Sequence, residues 1–272
     1  MKKLFLLSMV ATTMLSMSSC VSEDLDLNKQ AAAEGKGFIS LNVTNDDALI
    51  TRAVKNVPDT WTVALSGQAT RNVQVGELAT TSLAAGDYNV TVYNYVDEAA
   101  ALEANNKYGA AHYTGDVEGT VKVTSGNTTP VTLELGKAKN AKLTVESTVP
   151  QSAEVTVTVT SKANTSRALT FTKEAGETAL DHTEAFFPAA DVLTIAATYN
   201  SVDLTKAKTL TLGTAATDNK IIINTNGNGK ISFTTITYDD EFSTGKTQTI
   251  EFDAATGATL SVTNSDDPTP EP

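Results

Sequence analysis

Alternation with a period of two runs along this chain from Gly37 onward and narrows what it can fold into. Trp61, Val63 and Leu65 alternate with Thr62, Ala64 and Ser66, the pattern of a strand with one face on a core and the other in water. Phe38, Leu41 and Val43 open the series, and Trp61 reads as a core residue. Tyr88 to Tyr93 follow a Gly86-Asp87 turn, while Val121 to Val123 and Val131 to Leu135 flank the turn Ser125-Gly126-Asn127. Further runs cover Ala141 to Val145, Val155 to Val159, Leu169 to Phe171, Val192 to Tyr199, Leu210 to Leu212, Ile221 to Ile223, Ile231 to Ile236, Ile250 to Phe252 and Leu260 to Val262. Valine and threonine dominate them, as strand propensity favours.

A weak internal repeat organises these strands. Leu83 to Tyr95 aligns without gaps on Phe187 to Tyr199, and each copy leads to strand, turn and strand. The expected fold class is all-β: two tandem antiparallel β-sandwiches, immunoglobulin-like or transthyretin-like, after a lipoprotein signal peptide. The expected divisions are a signal peptide over 1–19, a lipidated N-terminus and acidic linker over 20–36, sandwich domains over 37–137 and 138–264, and a disordered proline-rich acidic tail over 265–272. Each sandwich has roughly the size of a seven-stranded one.

The first twenty residues read as an address. Lys2 and Lys3 precede an apolar run from Leu4 to Val10 with Met14 and Leu15, and Ser18 and Ser19 lead to Cys20, the single cysteine of 272 residues. Such a segment is a secretory signal and is short for a membrane span. Met17-Ser18-Ser19-Cys20 resembles the lipobox of bacterial lipoproteins, which implies acylation of Cys20 and cleavage before it. Several acyl chains at about 0.8 kcal/mol per buried methylene make such an anchor stable. Val21 to Asp26 resembles the acidic export signal of Bacteroidetes-type lipoproteins and implies an outer-membrane, cell-surface location, with outer-membrane lipid as the partner of the acyl chains.

Composition removes several function classes. The formal charge is −12, and cleavage of the leader removes Lys2 and Lys3 to leave 18 basic against 32 acidic residues. That balance opposes nucleic-acid binding. Two histidines and one cysteine leave little material for a zinc site or a histidine triad. No Gly-x-Ser-x-Gly or His-Glu-x-x-His occurs, so no enzyme activity, catalytic residue, cofactor or metal is expected. Asn45-Asp46-Asp47 and Asp239-Asp240-Glu241 lack the calcium-loop spacing and read as turn carboxylates. Asn226-Gly227-Asn228-Gly229 reads as a hairpin turn.

An insertion from Asp97 to Gly119 sets the first domain apart. Asp97 to Asn106 suggests two turns of helix behind an Asp cap. The aromatic stretch that follows, with Tyr108, His112 and Tyr113, is the candidate recognition loop for an extracellular protein or glycan, since long loops on rigid sandwiches often carry function. The alternative is that Tyr108 and Tyr113 plug the end of the sandwich.

Taken in order, Cys20, Gly37 to Leu41, Ile50 to Ala53, the Trp61 strand, Leu83 to Tyr88, Tyr108-Gly109 and Asn140 to Val145 resemble Bacteroidetes-type exported lipoproteins known only as a domain of unknown function. The resemblance implies an exported all-β lipoprotein that binds, adheres or supports, with no activity to carry over. Thr51-Arg52-Ala53 also resembles the processing site of fimbrillin-type pilus proteins. That likeness implies cleavage between Arg52 and Ala53 and a role as pilus anchor or subunit, with Ala258 to Val262 the segment suited to act as a donor strand. A further alternative is a glycan-capture lipoprotein beside an outer-membrane transporter.

Overall fold

The computed structural model describes residues 33–45, 58–204, 208–213, 217–238 and 245–265. Its first half contains β1 (Lys36–Asn45), β2 (Thr62–Gly67), β3 (Arg71–Gln74), a short helix α1 (Val75–Leu78), β4 (Leu83–Ala84) and β5 (Gly86–Tyr93). Helix α2 (Glu98–Glu103) comes before β6 (Thr114–Asp116), β7 (Val121–Val123) and β8 (Thr128–Leu135). The second half runs through β9 (Asn140–Thr148), β10 (Val155–Ser161), β11 (Ala168–Lys173), β12 (Glu184–Pro188) and β13 (Val192–Tyr199). It continues with β14 (Val202–Asp203), β15 (Lys208–Thr211), β16 (Asp218–Thr225), β17 (Lys230–Tyr238), β18 (Gly245–Asp253) and β19 (Thr259–Ser265).

The chain is all-β, and two sheets face each other across each of two cores. In the first half, sheet β4-β1-β8 opposes β3-β2-β5-β6, with β7 also paired to β5. Ile39, Val63, Leu65, Tyr88, Val90, Val92 and Leu133 meet between them. In the second half, sheet β12-β9-β16-β17-β18-β19 opposes β11-β10-β13-β14, with β15 also on β13. Leu143, Val157, Phe171, Phe187, Ile195, Ile223 and Phe233 fill that core. Period-two alternation produces this directly, because every second side chain of a strand lands on the same face.

The two halves share one wiring diagram. Strands β1 to β8 and β9 to β16 make the same pairings in the same order, and the last three strands extend the second half beyond the repeat. Most pairings are antiparallel, but the first and last strand of each repeat run parallel, β1 with β8 and β9 with β16.

Two details of the sequence reading change. The buried residues of β5 are Tyr88, Val90 and Val92, and those of β13 are Leu193, Ile195 and Ala197. Leu83 and Phe187 do correspond, since each pairs with the first strand of its repeat, so one extra residue lies between Phe187 and β13. A one-residue slip flips every side chain to the other face; the ungapped alignment therefore needs a gap at the Ala189-Ala190 turn, where Ala190 takes a φ of 59°. In β1 the inward phase is Ile39, Leu41 and Val43, while Phe38 is buried outside the first core.

Two local readings hold, the helix cap and the glycine-rich turn. Asp97 caps α2 by accepting a hydrogen bond from the Ala100 amide at 2.8 Å. Asn226 to Gly229 turns between β16 and β17, with positive φ at both glycines. Among the described residues no helix is long and apolar enough to cross a membrane.

Candidate functional site

The insertion after β5 leaves the first sandwich and docks on the second. Beyond α2 the backbone reverses through three consecutive left-handed residues, Asn105, Asn106 and Lys107, at φ 52°, 57° and 76°. Left-handed geometry in residues other than glycine is costly and needs support. Here Asn105 Nδ2 donates to the Gly109 carbonyl at 3.0 Å, and the Ala110 amide returns to the Ala101 carbonyl at 2.9 Å. Gly109 has a φ of 84°, and a Cβ there would stand 3.1 Å from Phe186 Cβ and 3.2 Å from an Arg167 nitrogen. The close approach of insertion and β12 thus depends on glycine.

This turn delivers Tyr108 to the second half. Its ring stacks on His182 at 3.8 Å between centroids and meets Phe171 edge-on at 5.4 Å. Its hydroxyl donates to the Thr170 carbonyl, and its own carbonyl accepts from the Phe186 amide at 2.7 Å. Burial, reinforced by the nearby Asp181 carboxylate, holds the phenol above its ordinary pKa because both disfavour the phenolate.

Arg167 closes the junction from the opposite side. Its guanidinium donates to the Leu102 carbonyl of α2 at 2.8 Å and to the Phe186 carbonyl of β12, and lies 4.9 Å over the Phe187 ring. The residue is 8 % exposed. Desolvation lowers its pKa, with the Glu103 and Asp191 charges acting in the other direction.

Beside Tyr108 lies an open cleft of about 500 Å³, walled by Asn105, Asn106 and Tyr108 from the insertion and by Asp181, His182 and Glu184 from the second half. It presents amides, ring edges and carboxylates suited to hydrogen-bonding a polar ligand. Both carboxylates already have structural work: Asp181 Oδ1 accepts from the Thr172 and His182 amides at 2.8 Å, and Glu184 pairs with Lys142 at 2.6 Å. No cluster of metal-ligating side chains occurs among the described residues.

The candidate loop residues do not converge on this cleft. His112 and Tyr113 are both buried outside its walls, at 8 % and 2 % exposure, and Tyr113 packs in the first core and stacks on Trp61 at 5.7 Å. Two buried or half-buried asparagines fasten this stretch. Asn140 accepts from the His112 amide at 3.0 Å and donates to the Ala110 carbonyl at 2.8 Å, and Asn94 treats Tyr113 and Ala111 in the same way. His182 and Arg167 carried no signal of their own in the sequence. A lone histidine after an aspartate and a lone arginine in a turn give no spacing that points to a loop 60 or more residues away. Cys20, Arg52 and Ala53 lie outside the described residues, as do Asp46, Asp47, Asp239, Asp240, Glu241 and the tail from Asp266.

Comparison with known proteins adds a family and little else. No curated protein matches the chain. Among solved structures, the pilus adhesin SpaC from Lactobacillus rhamnosus GG aligns over 78 % of this chain and 27 % of its own, at 11 % identity and a TM-score of 0.25. The chain thus spans about a quarter of that adhesin's length. Residues 35–254, from the turn before β1 to just past β18, match the family described as a domain of unknown function, DUF4493, and the chain belongs to it.

Proposed function

We propose that this chain is a non-catalytic lipoprotein, anchored in the outer membrane through acyl chains on Cys20 and exposed at the cell surface, where it serves as a binding, adhesion or structural module. The observation that carries the binding role is the cleft between insertion and second half, with Tyr108 in its wall fixed by its bond to Thr170. The anchor rests on the Met17 to Cys20 run and the acidic stretch behind it. A side-chain charge dominated by carboxylates suits a surface repelled by anionic polymers and lipids.

Fractionation of cells expressing Cys20→Ala tests the anchor: the variant leaves the membrane fraction, and continued membrane association would sink the lipobox reading. Protease treatment of intact cells tests exposure, since a periplasmic-facing protein survives it. Glycan and extracellular-matrix protein arrays probed with Asn106→Ala and wild-type protein test the cleft. Binding that the substitution removes supports the module reading, and binding untouched by it moves the site elsewhere.

One observation favours the pilus reading as the second choice. β1 is the middle strand of its sheet, Ile39 is fully buried, and Arg52 follows seven residues after Asn45. Cleavage after Arg52 would withdraw that strand and leave Val131, Leu133 and Leu135 of β8 facing a vacant groove, a setting for strand addition. Unboiled envelopes would then show a heat-sensitive ladder whose subunits begin at Ala53; a single band near the mature mass excludes it. β19 is not a spare donor strand, because it is already paired with β18.

A further inference from the structure

Sheet edges expose unpaired backbone donors and acceptors, and folded chains blunt them with charge, proline, short length or a covering segment. The described edges follow that practice with one exception. Strands β3, β4, β6, β7, β14 and β15 have four residues or fewer. β8 carries Pro130 and Glu134. Asp181 and Tyr108 bond the outer backbone of β11 at Thr172 and Thr170, and Tyr108 and Arg167 bond β12 at Phe186.

β19 shows none of these protections from Thr259 to Asn264 among the described residues. Its seven residues, Thr259-Leu260-Ser261-Val262-Thr263-Asn264-Ser265, include no charge and no proline, and all are exposed. It ends the six-stranded sheet, with β18 its described neighbour. Val262 stands opposite Ile250 and therefore on the core side of the sheet, yet it is 51 % exposed, with Leu260 at 48 %. The core stops one strand short of the edge.

From these features we infer that β19 is a self-association edge, pairing antiparallel with β19 of a second copy of this chain about a two-fold axis near Val262. Charge selects that occupant. A basic peptide, which the overall charge of −12 would attract, finds no carboxylate on this strand. The dyad instead sets Val262 against Val262, Ser261 against Thr263 and Leu260 against Asn264, so two acidic molecules meet where neither carries charge. The residues that follow are poor cover for the same edge: Asp266 to Pro272 place proline at 268, 270 and 272, removing amide donors along one side of any strand they would form. Because the remaining surfaces repel, the dimer tightens as salt screens them.

Facing Cα atoms on such a dyad stand roughly 4.5–5.5 Å apart, within reach of a disulfide. The test therefore uses the full chain in detergent, with Val262→Cys oxidised beside the wild type, which retains Cys20. A disulfide dimer that appears only in the variant is the expected result. In sedimentation, Val262→Lys alone loses the dimer, and a mixture of Val262→Lys with Val262→Glu regains it. Circular dichroism checks that these substitutions at a half-exposed site leave the fold intact. The inference is overturned if the wild type sediments as a monomer across the micromolar range, if Val262→Lys still dimerises, or if Val262→Cys links only to a species of another mass.

Discussion

Replacing Tyr108 by alanine removes the one ring that the insertion plants in the second half. Its edge contact with Phe171 and its stack on His182 are each worth about 0.5–1.5 kcal/mol. The hydroxyl bond to Thr170 adds about 1 kcal/mol, and the apolar area of a half-buried ring adds about another. A loss of roughly 3 kcal/mol follows. With an m-value of about 3 kcal/mol per molar urea for a chain this long, the far-ultraviolet dichroism midpoint falls by about 1 M. Trp61, the single tryptophan, sits in the first half against Tyr113, so its fluorescence follows that half alone. The two transitions coincide in the wild type and separate in Tyr108→Ala, because the junction then rests on the Arg167 and Asn140 bonds and one backbone bond without the ring. Coincident transitions at the wild-type midpoint would refute the reasoning.

Other perturbations give equally definite outcomes. Lys173 is 1 % exposed, and its ammonium donates to the carbonyls of Pro150, Gln151 and Ala153 at 3.1, 3.2 and 2.6 Å. Lys173→Met leaves those acceptors unpaired and costs about 3 kcal/mol, lowering Tm in calorimetry by roughly 10 °C; an unchanged Tm would show that water replaces the ammonium without loss. The raised pKa of Tyr108 means that stability is complete below the unfolded phenol value near 10 and is lost as pH rises through the folded one. Tyr108→Phe therefore loses less stability than the wild type between neutral and strongly alkaline pH, and parallel profiles would contradict that. Asp253 is held below the usual carboxylate range, chiefly by the Thr256 hydroxyl and then by the Thr256 and Ala255 amides. The turn's stability is thus present above the unfolded value and lost as pH falls through the folded one. An NMR titration should show the Asp253 carboxyl moving up in Thr256→Ala, and no movement would remove the hydroxyl as the cause.

What the sequence revealed of this fold divides along a physical line. Strand positions such as Val63 and Leu65, or Val155, Val157 and Val159, were legible because burial of alternate residues is a local pattern. Strand direction was not, since the parallel partner of Phe38 is Thr128 and alternation is the same for either orientation. The slip between Phe187 and β13 was hidden for a related reason: a period of two reads equally well in both phases until a neighbouring strand fixes one. Of the candidate site, the sequence marked Tyr108 but placed it with His112 and Tyr113. Its actual neighbours, His182 and Phe171, come from strands and turns more than 60 residues away. Lys173 continues the inward phase of Leu169 and Phe171; a charged residue at that phase was the available sign of a buried cation.

The parallel pairing of first and last strands decides how each repeat responds to tension along the chain. Where β1 enters its sandwich and β8 leaves it, the two exits lie at opposite ends of one ladder registered from Phe38 and Thr128 to Asn45 and Leu135. A pull between those exits slides the strands past each other and strains every rung at once, whereas a hairpin pulled at its open end unzips rung by rung. The second repeat contains the same parallel ladder, from Lys142 and Asp218 to Thr148 and Asn224, but β17 to β19 follow β16 in the same sheet, so a pull on the chain beyond Ser265 meets the open end of the antiparallel β18–β19 hairpin first. The first repeat therefore meets a pull along the chain in the direction in which its sheet yields last, and the hairpin at the far end of the second yields before it.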